Sequence, residues 1–519
     1  MGIFFNPGNG SFTKDRNYEI YVDKTELLKY LNRAIGTPGN CIAVSHARRF
    51  GKSHAAGMID AYYSLGSDSA KLFKGTKIAS DPDYEKYRNK YNVIHLDISS
   101  FWDFHKKDIV EKIIEDIFKE LKMDYPEEFN ERDRISYVLI KIYEKTGIPF
   151  VIIIDEWDCV VRNSTDQDLI HQYLQFLHSL FKSEESKSFL ALGYITGIMP
   201  IKKIKDESAL NNFEEYTMLK SRPITKYYGF TEEEVKDLCK RYDMDFETTK
   251  EWYNGYLIDG MHMYNPNSVS QAMKYHDFDS YWRNTSAFGT INNFIMMNYS
   301  GLKEDVLTML SGGKVMVDTE CFQNDLAEIH SKDDALTALI HLGYLGYDAD
   351  ILSAYIPNYE VAKAFQSALK TGEWKDVAAS ISKCDTLLMA TISGNTEKVA
   401  ELIELAHDTY TSILKYNDEN SLSCVLTMAY FTAPAYYTII REMPAGKGFA
   451  DFVFLPRANA GNRPAMIVEL KYNQSADTVI RQIKEKRYQG ALSGYESKIL
   501  LVGISYDSEK YHTCSIEEW

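Results

Sequence analysis

Gly51-Lys52-Ser53 sets an ammonium beside a hydroxyl, and Arg48 and Arg49 stand just ahead of them. That combination suits a phosphate. The lysine can reach the β/γ-phosphates, and the serine hydroxyl can ligate Mg²⁺. The pattern GxxxxGK[ST] asks for a first glycine five residues before Gly51, and His46 occupies that place. A second set is Asp155-Glu156, one carboxylate to hold Mg²⁺ directly or through water and the next to polarise an attacking water. Thr196, at the end of an apolar run, can hydrogen-bond a γ-phosphate or that water. A third set is Asp451, Glu469 and Lys471. Two carboxylates can hold a divalent cation between them, and a lysine beside it can orient a water and stabilise a pentacovalent phosphate. Glu419 is a further candidate metal or water ligand for this set, and Gln482 lies on the helix that follows it.

Each group needs an element to deliver it. Cys41–Val44 reads as a buried strand, and a helix is expected from Ser53 to Leu65. A loop between strand and helix N-terminus points unpaired N–H groups at an anion. Phe150–Ile154, FVIII, reads as a central strand with its two acids at the C-terminal end, where open α/β sheets bind ligands. Strands at Val93–Ile98 and Phe189–Thr196 alternate with helices at Lys106–Lys122, Ile135–Thr146 and Asp168–Phe181, which predicts a parallel sheet covered on both faces. From Gly229 helices take over. Thr231 and Glu234 form a capping box, and Tyr253-Asn254-Gly255-Tyr256 and Tyr264-Asn265-Pro266 read as turns. A helix at Lys332–His341 followed by short strands suggests a winged-helix-like module, whose acidic flanks favour packing or protein contact. Near the end, a helix at Tyr416–Tyr430 precedes strands Tyr437–Glu442, Lys447–Leu455 and Ala465–Lys471, then a helix, then strand Lys498–Ile504, an αβββαβ order. Residues two apart share a strand face, so Glu469 and Lys471 point together and an adjacent strand brings Asp451 to them.

The chain has 519 residues, 45% apolar and 25% charged, enough for about three domains. Expected bounds are 1–228 for the nucleotide domain, 229–375 for the helical and winged-helix-like region, and 376–519 for the last. No apolar run is long enough to span a bilayer, no secretory leader is recognised, and seven scattered cysteines without CxxC read as reduced thiols. The expectation is a cytoplasmic protein with no membrane contact. A net charge of −16 argues against indiscriminate coating of nucleic acid, so such contact must come through a local basic groove or bound metal.

Together these stretches resemble a bacterial family of predicted ATPases, AAA-ATPase-like, fused to a C-terminal PD-(D/E)xK nuclease-superfamily domain. Tyr21-Val22-Asp23-Lys24-Thr25, Arg48-Arg49-Phe50-Gly51-Lys52-Ser53, Ile154-Asp155-Glu156, Trp252-Tyr253-Asn254-Gly255-Tyr256 and Tyr264-Asn265-Pro266 carry the resemblance, with Asp451, Glu469, Lys471 and Gln482. It implies an α/β multidomain chain: a P-loop NTPase sheet, a winged-helix-like middle and a restriction-endonuclease-like end. The cofactors implied are ATP and Mg²⁺, with Mn²⁺ as a substitute, and the partner is nucleic acid, DNA favoured. The motif's usual Pro-Asp is here Ala450-Asp451, and Tyr488 falls six residues after Gln482 rather than four. Arg222 and Arg241 are arginine-finger candidates by location alone, with oligomerisation among the expectations. The competing expectation is an ATP-dependent switch or scaffold that binds a protein partner through an inactive nuclease fold.

Overall fold

The computed structural model describes residues 2–127, 133–201, 210–281, 287–297, 299–320, 322, 329–371, 379, 383–414, 425–445, 448–457, 460–486, 498–507 and 511–519. They form two compact units: residues 1–281 with 316–358, and residues 282–315 with 359–519.

The first unit is built on five strands, β1 (Cys41–Ser45), β2 (Asn92–Asp97), β3 (Phe150–Asp155), β4 (Leu190–Gly197) and β5 (Glu214–Thr217). They pair in parallel in the order β2-β3-β4-β1-β5. β4 therefore lies between β1 and β3, and its register sets Gly197 beside Ser45 and Ile195 beside Ile154. The C-terminal ends bearing the loop, the acids and Thr196 are thus neighbours.

Helices α1 (Glu26–Ala34), α2 (Lys52–Tyr63), α3 (Ile109–Asp124), α4 (Ile135–Thr146), α5 (Cys159–Asn163) and α6 (Gln167–Phe181) cover the sheet. Alternate strand residues feed two apolar layers. Ile152 and Ile154 of β3 join Ile113, Leu139 and Leu177 of α3, α4 and α6. Val151 and Ile153 join Leu28 and Ile59 of α1 and α2. Each fully buried aliphatic of this kind contributes about 1.5–3 kcal/mol. Local signals agree with this packing: Asp166 caps α6 by accepting from the N–H groups of Asp168 and Leu169, and α4 stops at Gly147, left-handed at φ 68°.

The rest of this unit adds β6 (Phe230–Thr231), α7 (Glu232–Tyr242), α8 (Phe246–Tyr253), β7 (Tyr256–Ile258), β8 (Met261–Tyr264) and α9 (Pro266–Tyr275). The Thr231–Glu234 capping box is present at α7. Tyr264-Asn265-Pro266 is a helix start, with Asn265 as N-cap. Asp259 and Gly260, with φ 51° and 79°, turn β7 into β8 as a two-residue hairpin. The chain passes through β9 (Val315–Met316) to α10 (Lys332–His341), then the antiparallel pair β10 (Gly346–Asp348) and β11 (Ser353–Tyr355).

In the second unit, α11 (Thr396–Leu414) and α12 (Ala476–Glu485) accompany β12 (Tyr437–Ala445), β13 (Gly448–Pro456), β14 (Ala465–Tyr472), β15 (Ile499–Tyr506) and β16 (His512–Glu518). The sheet order follows the chain order. β12, β13 and β14 are antiparallel neighbours, β14 and β15 are parallel across α12, and β16 returns antiparallel to β15. β16 adds one strand to the expected βββαβ run, and most of the helix expected at Tyr416–Tyr430 lies outside the described residues. Gly503 lets α12 approach β15: a Cβ there would lie 2.7 Å from the Ala476 carbonyl oxygen.

Candidate functional sites

In the phosphate-type loop the left-handed residues are Arg49 (φ 68°) and Gly51 (φ 92°). His46 is not among them, so its backbone does not require glycine. Its ring is buried against Tyr228, with centroids 5.3 Å apart, and its Nε2 lies 2.8 Å from Ser221 Oγ. Burial, then Lys52 and His341, push its pKa down to about 3, so the ring is neutral. Ser221 is held in turn by Asp259 Oδ2, which accepts from the Ser221 N–H and the Thr225 hydroxyl, each at 2.8 Å.

Lys52 is buried, and its Nζ donates to the carbonyls of His46 (2.8 Å) and Ala47 (2.9 Å). Burial lowers its pKa, while Glu156, Asp155 and Asp158 favour the charged form. Ser53, Arg48 and Arg49 are exposed at the loop and the start of α2. The Thr196 hydroxyl donates to Asp155 Oδ1, which also accepts from the Glu156 N–H at 3.0 Å. Lys52, Asp155, Glu156 and Thr196 therefore come together as the motif spacing predicts. Beside Gly51 and His54 a cavity of about 510 Å³ opens, walled by Phe12, Tyr21, Met58, Tyr227 and Phe230. Its apolar, aromatic walls suit a planar ring, and its volume is ordinary for a small-molecule site.

Asp158, Arg162 and Ser221 are functional-site neighbours that the sequence reading does not single out; the first two surround Glu156. Glu156 is left-handed at φ 53°, and burial, then Asp158, raise its pKa. Arg162 on α5 binds it, Nη2 to Oε2 at 3.0 Å, and binds Asp158 through Nε at 2.7 Å. The spacing of Asp158 and Arg162, four residues apart, was the local signal.

In the second unit Asp451, Glu469 and Lys471 meet as adjacent strands require. The Asp451 N–H donates to Glu469 Oε2 (3.1 Å), and the Leu470 N–H donates to Asp451 Oδ2 (2.9 Å). Lys471 Nζ lies 3.1 Å from Glu469 Oε1 and 3.7 Å from Asp451 Oδ2. The Glu469 side chain is 1% exposed and that of Asp451 32%, so the trio opens to solvent on the aspartate side. Burial, then Asp451, raise the Glu469 pKa against the pull of Lys471. Gln482 is half-buried on α12, and among the described residues no hydrogen bond joins it to the trio. Glu419 lies outside the described residues.

Among the described residues no three His, Cys, Asp or Glu side chains gather as a metal cluster. The donors present fit Mg²⁺ nonetheless, since Mg²⁺ takes one or two carboxylates and completes its shell with water and phosphate oxygens. Asp155 is one such carboxylate, and Asp451 with Glu469 is a second, paired set. The second has two carboxylates against one ammonium, a net negative charge that a cation relieves.

Residues 9–205 match the family model described as Predicted AAA-ATPase, and residues 417–519 match the PD-(D/E)XK nuclease superfamily. An uncharacterized protein in the vnfD 5′ region of Azotobacter chroococcum mcd 1 is 24% identical over 287 residues, 54% of this chain and 53% of its own length. The chain thus spans about half the length of the curated relative it matches. The Aeropyrum pernix ORC2 protein, solved in ADPNP–ADP complexes, aligns over 70% of this chain and 97% of its own at 11% identity and a TM-score of 0.33. A DNA replication initiation factor aligns over 80% and 96% at 10% identity and a TM-score of 0.27. This polypeptide joins a predicted AAA-ATPase domain, over residues 9–205, to a domain of the PD-(D/E)XK nuclease superfamily, over residues 417–519.

Proposed function

We propose that the first unit binds and hydrolyses ATP and that the second cleaves phosphodiester bonds in nucleic acid, DNA favoured, with the ATPase gating the cut. The observation that carries this is the meeting of Asp451, Glu469 and Lys471 within 3.7 Å on adjoining strands, in a chain that also gathers Lys52, Asp155 and Thr196. In the first unit Gly51 and the N-terminus of α2 receive the phosphates, the aromatic cavity receives the base, and Lys52 exchanges its loop carbonyls for phosphate oxygens. Ser53 and Asp155 hold Mg²⁺, and Glu156 takes the proton of the attacking water. In the second unit Asp451 and Glu469 hold Mg²⁺ or Mn²⁺, which supplies charge to the scissile phosphate. Lys471 orients the water there, and Gln482 lies on the following helix, with Glu419 as a further ligand. The α10 helix, buried from Ala335 to His341, and the β10–β11 hairpin serve packing in this reading rather than DNA contact, as their acidic flanks favour. Defence against mobile DNA is one role this chemistry would serve.

The test is cleavage of plasmid and linear DNA with Mg²⁺ or Mn²⁺, with ATP hydrolysis measured in parallel. Lys52→Ala is expected to lose hydrolysis, and Glu469→Ala cleavage. Unchanged cleavage by Glu469→Ala removes the second site. The net charge of −16 favours a second reading, a nucleotide-dependent switch for a protein partner. That reading predicts ATP binding with no cleavage of any nucleic acid.

A further inference from the structure

Arg162 stands where the ends of two neighbouring strands are tied together. Its Nη2 holds Glu156 Oε2 at 3.0 Å and its Nε holds Asp158 Oδ2 at 2.7 Å. That same Asp158 oxygen accepts from the backbone N–H groups of Ile198 (3.1 Å) and Met199 (2.9 Å), in the segment leaving β4 just after Thr196. The Arg162 side chain is 9% exposed and the Asp158 side chain 1%, so solvent screens these bonds little. Glu156 itself sits in a left-handed backbone, which fixes where its side chain begins and leaves its carboxylate to be aimed from outside. Gly197 closes the arrangement. A Cβ there would lie 2.6 Å from the Trp157 indole nitrogen and 2.8 Å from Asp158 Oδ1.

The geometry points to Arg162 as a positioning residue that aims Glu156 at the attacking water and links that aim to the segment following Thr196. The inference rests on the ATPase reading. Arg162 touches neither nucleotide nor water in this scheme and acts through one oxygen of Glu156, leaving the other for the water. A guanidinium serves because its planar fork reaches two carboxylates at once, whereas an ammonium on a lysine stem reaches one.

The experiment compares Arg162→Lys and Arg162→Ala with the full-length wild type. It reads steady-state ATP hydrolysis, binding of a fluorescent ATP analogue, and thermal unfolding. Arg162→Lys keeps a cation for buried Asp158, so the fold is retained if Arg162→Ala fails to fold. The expected result is a kcat loss of ~10-fold or more in Arg162→Lys, since small misplacements of a reacting group cost up to ~100-fold. Analogue affinity changes less than ~2-fold, as expected when only the transition state is affected. On a Glu156→Gln background Arg162→Lys adds no further loss, because the two residues act as one unit. An unchanged kcat in folded Arg162→Lys, or a loss that persists in full on the Glu156→Gln background, overturns the inference while leaving the ATPase reading standing. A wild type that neither binds the analogue nor hydrolyses ATP overturns the ATPase reading itself, and the inference with it.

Discussion

His46 fills the space beside Tyr228 with a neutral ring, and its Nε2 contact with Ser221 ties the loop to Asp259 at the β7–β8 turn. A glycine at this position gives up that packing and gains nothing, because the backbone there is not left-handed. His46→Gly, though it restores the GxxxxGK[ST] pattern, is expected to lower stability by about 3 kcal/mol in urea unfolding, in the range of large-to-small core changes. It is also expected to leave ATP affinity no higher than wild type in a nucleotide titration. In the other unit, Glu469 is buried and Lys471 is its cation. Lys471→Met is expected to cut nuclease rate by ~100-fold or more, a typical loss for a group that stabilises developing charge. It is also expected to destabilise the fold by about 2–4 kcal/mol, because a buried carboxylate loses its partner. Cleavage kinetics and thermal unfolding check the two effects separately.

At the scale of elements, the strands buried on both faces were the legible ones. β1, β3 and β4 are near-continuous apolar runs, and the structure places them where those runs do. The missed strands have physical excuses. β5 carries Glu214 and Glu215, and Glu215 is consumed by the Ser45 hydroxyl and the Ile201 N–H. β16, HTCSIEE, is an edge strand with few buried positions. The β7–β8 hairpin did announce itself in Asp259-Gly260, a turn signal that a helical reading of the region passed over. The grouping of Lys52 with Asp155, and of Asp451 with Glu469 and Lys471, was legible because the proposed phosphate and metal chemistry calls for those residue types. Arg162, Asp158 and Ser221 were not, because their contacts form only when β3, β4 and the loop close on one another. Two glycines, one in each unit, test how closely the elements around each site must pack. Gly197→Ala pushes a methyl into Trp157 and Asp158 and is expected to cost 1–3 kcal/mol, the usual penalty of overpacking, together with most ATPase activity. Gly503→Ala meets the Ala476 carbonyl and is expected to lift α12 from β15, lowering the unfolding temperature and nuclease rate while ATPase persists.

For the whole molecule, no helix among the described residues is long and apolar enough to cross a membrane. Each unit has its own apolar core and its own acidic set, and neither core needs a metal to fill it. Chelation by EDTA is therefore expected to stop DNA cleavage while the thermal unfolding midpoint stays within a few degrees, roughly the shift that 1 kcal/mol produces in a chain of this size. A collapse of the fold on chelation would mean that the cation is structural. The divalent-cation site on β13 and β14 is tested most directly by anomalous scattering from crystals of the full chain soaked in Mn²⁺. A peak between the Asp451 and Glu469 carboxylates is expected, and it disappears in Glu469→Gln. A saturating soak with no peak there, in a chain whose carboxylates remain ordered on β13 and β14, would contradict that site.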